Sequence, residues 1–169
     1  VTVGPGAFTG IRIGLAAARG LAVAAGLPVV GVTTLEAVAA AQEAGDAPIL
    51  VALDSRRRDV YVQLFASDSG PLGSAQAIMP GDVADLLPSG AKISLAGDAV
   101  DVVLAALGPR HPDLHRLDGP DLPDAAVVAA LAARRLQSAP GDFETPPAPL
   151  YLRPPDAVPA AERRRRAGR

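Results

Sequence analysis

Apolar and polar positions along this chain switch repeatedly between the period of a helix and that of a strand. Val1 to Val3 reads as the end of a buried strand, followed by a Gly4-Pro5-Gly6 turn. Apolar residues then recur at helical spacing, which predicts a helix from Gly10 to about Ala25. Thr9 is placed to cap that helix through its hydroxyl, with Phe8 and Ile13 as a hydrophobic staple. Gly26 closes the helix and Pro28 forbids its continuation. Pro28 to Val32 reads as a short strand, and Thr33 or Thr34 caps a second helix from Leu35 to about Ala44, ended by Gly45-Asp46. The stretch ILVALDSRRRDVYVQLF then predicts a hairpin from Ile49 to Phe65. In its second strand Val60, Val62 and Leu64 share one face and Tyr61, Gln63 and Phe65 the other. A loop follows, then a short helix near Asp82 to Leu87, a strand within AKISLAGDAV, and a helix from Val100 to Leu107 closed by Gly108-Pro109. The last helix runs from Ala125 to Gln137, with Asp121 or Asp124 at its start and Arg134 and Arg135 in its last turn, where they suit the helix dipole. From Pro140 onward seven prolines in thirty residues make the chain extended, with a disordered end. Strands alternating with helices, and a hairpin among them, imply an α/β protein with a mixed sheet.

Composition narrows the chemistry. The chain has 169 residues and is 49% apolar, so a real core is available, built from small side chains. Cysteine is absent, which excludes disulfides and thiolate metal sites. No apolar run of membrane length stands out and no basic signal segment opens the chain, so the expected location is cytoplasmic. Net charge is −2, with five Arg and one Glu in the last eight residues. The body therefore carries no basic patch of the nucleic-acid-binding kind, while Arg163 to Arg166 form a local basic run that reads either as a contact for nucleic-acid phosphates or as a floppy tail.

The opening turn poses the central choice. A phosphate loop requires a lysine before the helix, and the only lysine is Lys92. A dinucleotide fingerprint fits Gly4 and Gly6, but Thr9 stands where the third glycine belongs and Gly10 comes one position late. Gly4, Gly6 and Gly10 are thus weak cofactor-binding candidates at a helix N-terminus. The helix itself carries a second signal. Ala16, Gly20 and Ala24 stack at four-residue spacing, Gly14 and Ala18 form another stripe, and Arg12 and Arg19 share a face. Gly14 and Gly20 each cost roughly 1 kcal/mol against Ala, which close packing must offset, on this chain's own sheet or on a partner's helix. Elsewhere, His111 and His115 have the spacing of metal ligands but flank Pro112 and read as loop histidines; Asp54 and Asp59 around Arg56 to Arg58 read as a polar turn. No serine-hydrolase or zinc-peptidase motif is present.

GPGAFTGIRIGLAAARGLA closely resembles the signature of the TsaB (YeaZ) family, GPGSFTGLRIG followed by an alanine-rich helix. VVGVTTLEAVAA, LDSRRRDVYVQLF and PLYLRPPDA resemble three further family segments in the same order. The resemblance implies an actin/Hsp70-like fold of two ribonuclease-H-like lobes with mixed sheets. It also implies a non-catalytic scaffold that binds and activates TsaD. With the ATPase TsaE, that complex makes N6-threonylcarbamoyladenosine at position 37 of tRNA. ATP and metal belong to the partner subunits, with none in this chain; tRNA is met only as substrate of the complex, and a homodimer through a similar surface is a further expectation. Phe8, Thr9, Arg12, Gly14, Ala16, Arg19 and Gly20 are the expected contact residues. Family members carry a D-T-S-type turn, a hairpin and a helix before the signature, so the resemblance implies an N-terminally truncated member with an incomplete first lobe. On that basis residues 1–46 are expected to belong to the N-terminal lobe, 47–157 to the C-terminal lobe, and 158–169 to a disordered tail. The other open reading is an actin-like nucleotide-binding enzyme, an ATPase or acyltransferase, using the GPGAFTG turn.

Overall fold

The computed structural model describes residues 1–43, 45–88, 90–108, 111 and 113–153. At its centre lies β1, Ile49–Asp54, whose run of apolar residues is buried on both faces. It pairs antiparallel with β2, Val60–Phe65, in the register Ile49↔Phe65 to Asp54↔Val60, as the hairpin pattern predicts. β3 (Gln76–Ile78) adds to the outer side of β2, while β4 (Ile93–Ala96) and β5 (Leu114–Arg116) continue the sheet in parallel on the far side of β1. The order β3-β2-β1-β4-β5 is the mixed sheet of a ribonuclease-H-like lobe. Neither β3 nor β5 is expected from the pattern. Each is three residues long and sits at an edge, so pairing rather than local periodicity defines it.

Each face of the sheet receives a helical layer. Leu50, Val60, Val62, Ile93 and Leu95 point to one side, covered by α3 (Val100–Leu107) and a 3-10 helix, Pro80–Leu86. Ile49, Val51, Leu53 and Phe65 point to the other, covered by Leu35, Val38 and Ala39 of α2, Thr34–Ala40. α4, Ala125–Ser138, then packs Val128 on Val32 and Ala37. Arg135 stands in the last turn of α4, as expected, and also ties the helix down by donating to the Gly31 carbonyl (2.6 Å) and to the Glu36 carboxylate.

The ends of the helices refine several expectations. Thr33 caps α2, accepting from the Glu36 N–H at 3.0 Å. α2 stops earlier than expected because Ala41 and Gln42 donate three residues back, to Val38 and Ala39, tightening the last turn; the expected end, Ala44, lies outside the described residues. Asp124 caps α4, whereas Asp121 pairs with Arg116 at 2.5 Å. The hydrogen bond that Arg116 donates to Asp101 and the charge of Asp121 raise the guanidinium pKa above its usual range. α1, Phe8–Ala25, begins before Gly10, and its cap residue is Ala7, with extended-side dihedrals and no side-chain bond. Thr9 therefore lies inside the helix, and Phe8 and Ile13 stand 46% and 65% exposed instead of forming a staple. The first turn is instead closed from within: Ile11 folds back against Gly4 and Gly6 and donates its N–H to Ala7. Val1–Val3 and Pro28–Val32 do run side by side, joined through Val3 N–H to Val32 O (2.9 Å), but they form one parallel bridge, Thr2↔Val32, rather than full strands.

Candidate functional site

Three pieces meet at the signature turn. The first is the turn itself. Gly4 has φ +112°, and a Cβ there would sit 2.9 Å from the Leu150 carbonyl oxygen and 3.0 Å from Ile11 Cδ1, so only glycine fits both the dihedral and the space. The second is α1. Leu15 is its buried residue, with Ile11, Gly14, Ala18 and Ala22 half-buried along the same side. Thr9, Ile13, Ala16, Ala17, Gly20, Leu21 and Ala24 form the opposite, exposed side. The two stripes read from the sequence thus face opposite ways: Ala16-Gly20-Ala24 outward, Gly14-Ala18 inward. A methyl group added at Gly14 or Gly20 would meet nothing within 4 Å among the described residues, so these do not supply the packing that offsets their helix cost.

The third piece is the C-terminal segment; the chain expected to be extended from Pro140 first forms a 3-10 helix, Pro140–Phe143, and only then runs on without regular structure through residues 147–150. Leu150 donates its N–H to Val3 O at 2.7 Å, and Pro147 lies against Gly31, where a Cβ would come within 2.8 Å of it. Arg19 donates to Pro147 O (2.7 Å) and Arg12 Nε to the Tyr151 hydroxyl (2.8 Å). The Arg12 guanidinium also lies 3.6 Å above the Phe8 ring, which in turn packs on Tyr151 with centroids 5.3 Å apart. Arg153 pairs with Asp59 and covers the Tyr61 ring. Of the seven expected contact residues, Phe8, Arg12 and Arg19 are thus engaged by this segment, Thr9, Ala16 and Gly20 lie on the open face, and Gly14 lies on the inner side. Tyr151 carries no motif signal of its own; only its place in PLYLRPPDA marks it.

Between the turn, the segment and the hairpin tip lies a cleft of about 900 Å³, bordered by Gly6, Phe8, Asp54, Asp98, Tyr151 and Arg153. It opens at the C-terminal ends of β1 and β4, where open α/β sheets place ligands. Gly97, at φ +109°, lets the chain turn beneath the Ala52 carbonyl, so that Asp98 accepts the Asp54 N–H at 2.8 Å. Asp54 itself accepts from Arg56 N–H (2.6 Å) and pairs with its guanidinium at 3.3 Å, while Asp59 holds Ser55 and Arg153. These carboxylates hold the hairpin turn together. His115, expected in a loop, stands on β5 instead, where its Nε2 lies 3.2 Å from the hydroxyl of buried Ser94. The parallel register places that pair side by side and satisfies an otherwise orphaned hydroxyl. Among the described residues no three His, Asp or Glu side chains are grouped to hold a metal ion.

By length and composition α1 is apolar enough to cross a membrane, contrary to the expectation of no such run. Its six Ala, with two Ile, two Leu, Val23 and Phe8, outweigh two arginines. In this fold the helix docks by Leu15 on one side and by both arginines on the C-terminal segment.

Comparison with known proteins follows the same lines. The family described as TsaD, tRNA N6-adenosine threonylcarbamoyltransferase, matches residues 1–107. An uncharacterized protein of Mycobacterium tuberculosis is 37% identical over 164 residues, covering 95% of this chain and 66% of the relative, so the chain spans just under two thirds of that relative. The tRNA threonylcarbamoyladenosine biosynthesis protein TsaB of Escherichia coli is 48% identical over 67 residues, 38% of this chain and 29% of that protein. The structure of YeaZ from Pseudomonas aeruginosa superposes with a TM-score of 0.72 at 30% identity, over 89% of this chain and 72% of that one. With the glycine turn, the small-residue helix and the ribonuclease-H-like sheet in place, the chain belongs to the TsaB (YeaZ) family, within the broader TsaD domain family.

Proposed function

We propose that this chain is a non-catalytic subunit that binds a TsaD-type transferase and supports its threonylcarbamoylation of tRNA adenosine. The observation that carries this reading is the outer face of α1. Ile13, Leu21 and Val23 stand 65, 73 and 85% exposed beside Ala16, Gly20 and Ala24, and among the described residues none lies within 4 Å of a side chain added at Gly20. A contiguous apolar face of this kind marks an interaction site. The small residues let a partner helix approach closely, because side chains at the contact set the interaxial distance. Relatives named for threonylcarbamoyladenosine biosynthesis support placing the chain in that process. In this reading the complex works in the cytoplasm. A TsaE-like ATPase joins through it, ATP and metal are held by the partners, and tRNA is its substrate. The test is capture of purified TsaD from the same organism by this chain and by its Gly20→Leu variant. Capture by the first and its loss in the second is expected. Absence of capture by the unmodified chain overturns the proposal.

One observation favours a second reading: the cleft beside Gly6 lies next to an α-helix N-terminus. An actin-like ATPase or acyltransferase would hold a nucleotide there, over Gly4, Gly6 and Gly10. Calorimetric titration of the chain alone with ATP separates the two. The first reading expects no binding heat, and saturable heat would favour the second.

A further inference from the structure

α1 has eighteen residues and one buried side chain, Leu15. Most helical stability in a protein comes from tertiary packing rather than propensity, and two interior glycines weaken α1 further. Tertiary contacts must therefore hold it in place, and residues 147–153 supply a connected set of them along one flank. Arg19 bonds to Pro147 O and Arg12 to the Tyr151 hydroxyl, while Tyr151 packs on Phe8, which lies under the Arg12 guanidinium. The same short segment is fastened to the rest of the fold at three points. Leu150 donates to Val3, Pro147 seats against Gly31, and Arg153 pairs with Asp59 over the Tyr61 ring. Pro147 makes both a grip on α1 and a fastening, and the Tyr151 grip lies between the fastenings of Leu150 and Arg153, so the segment joins α1 to the rest of the fold.

We infer that residues 147–153 are a strap that sets the order and orientation of α1, with Arg12, Arg19 and Tyr151 as its positioning residues. Their bonds lie on the flank beside the exposed Ile13-Gly20-Ala24 face and leave that face open. Presentation of the face then depends on a segment whose Tyr151 lies 139 positions from Arg12 in sequence. The consequence for partner binding rests on the function proposed above; the ordering of α1 does not.

Hydrogen–deuterium exchange on the full chain tests the strap without any partner. Leu150→Pro deletes the N–H that bonds Val3, and Tyr151→Leu removes ring and hydroxyl while leaving the backbone intact. Both variants are expected to exchange α1 amides roughly tenfold faster while β1 and β4 keep their protection, the signature of a local opening. Unchanged α1 exchange in Tyr151→Leu overturns the inference, as does equal acceleration in the sheet of that variant. If Leu150→Pro loses its sheet protection, Tyr151→Leu alone decides. TsaD capture is the second readout, with affinity expected to fall about tenfold when the strap is loosened, roughly 1.4 kcal/mol. An unmodified chain that does not capture TsaD refutes the proposed function and leaves the exchange result standing.

Discussion

Glycines in this chain serve opposite purposes, and substitution by alanine separates them. At Gly97 the backbone sits at φ +109° and a Cβ would run into the Ala52 carbonyl, so Gly97→Ala adds both dihedral strain and a clash with backbone. It is expected to cost at least about 2 kcal/mol, read as a lower urea midpoint at unchanged slope. At Gly20 the dihedrals are helical and the space is open, so Gly20→Ala is expected to stabilise the chain by about 0.5–1 kcal/mol. On the proposed role the same change weakens TsaD binding, because a methyl group then stands where the partner backbone approaches. Gly14→Ala, on the half-buried inner side, is expected to stabilise equally and leave binding unchanged. Urea denaturation together with calorimetric titration against TsaD reads both signs. A Gly20→Ala chain with unchanged affinity would remove the argument from close approach. Sequence spacing shows that both glycines burden the helix; only the fold shows which way each one faces.

Among the elements, legibility followed the range of the interactions that define them. α3 and α4 repeat their burial every three to four residues and β2 close to every second one, while β1 is a short continuous apolar run bounded by a polar turn, so all four are legible locally. β3 and β5 are three residues each and exist because a neighbouring strand pairs with them, a signal no local window contains. The start of α1 was misplaced for a different reason. Thr9 has the better capping chemistry, but Ile11 closes on the glycine turn and brings Ala7 to the cap position. The site divides in the same way: the turn and the small-residue stripe were readable, while the docking of Tyr151 on Arg12 spans 139 positions and was not. Where two caps were open in sequence, for α4, the fold separates them by what each carboxylate touches. Asp124 accepts from Ala126 N–H at 2.6 Å, so Asp124→Ala is expected to cost about 1 kcal/mol of stability. Asp121 pairs with exposed Arg116, and Asp121→Ala is expected to leave the denaturation midpoint unchanged, since solvent screens such pairs.

At the scale of the whole molecule the balance between a well-buried sheet and a bare helix has a consequence for assembly. The sheet is covered on both faces, by α2 on one side and by α3 with the 3-10 helix on the other, so its apolar surface is satisfied within the chain. The outer face of α1 is not covered by any of the described residues, and soluble monomers rarely leave a contiguous apolar face uncovered. A net charge of −2 over 169 residues offers little repulsion against self-association. Without TsaD the same face is therefore expected to pair with a second copy, and TsaD is expected to displace that copy, since one helix face cannot serve both. Ile13→Asp with Leu21→Asp tests this directly. Both positions are well exposed, so stability should change by no more than about 1 kcal/mol, mostly helix propensity. In sedimentation velocity the unmodified chain is expected to dimerise with rising concentration and to shift to a mixed complex on adding TsaD, while the double variant stays monomeric in both conditions. A double variant that still joins TsaD would move the interface off α1. Loss of the homodimer alone would mean that two different surfaces serve the two partners.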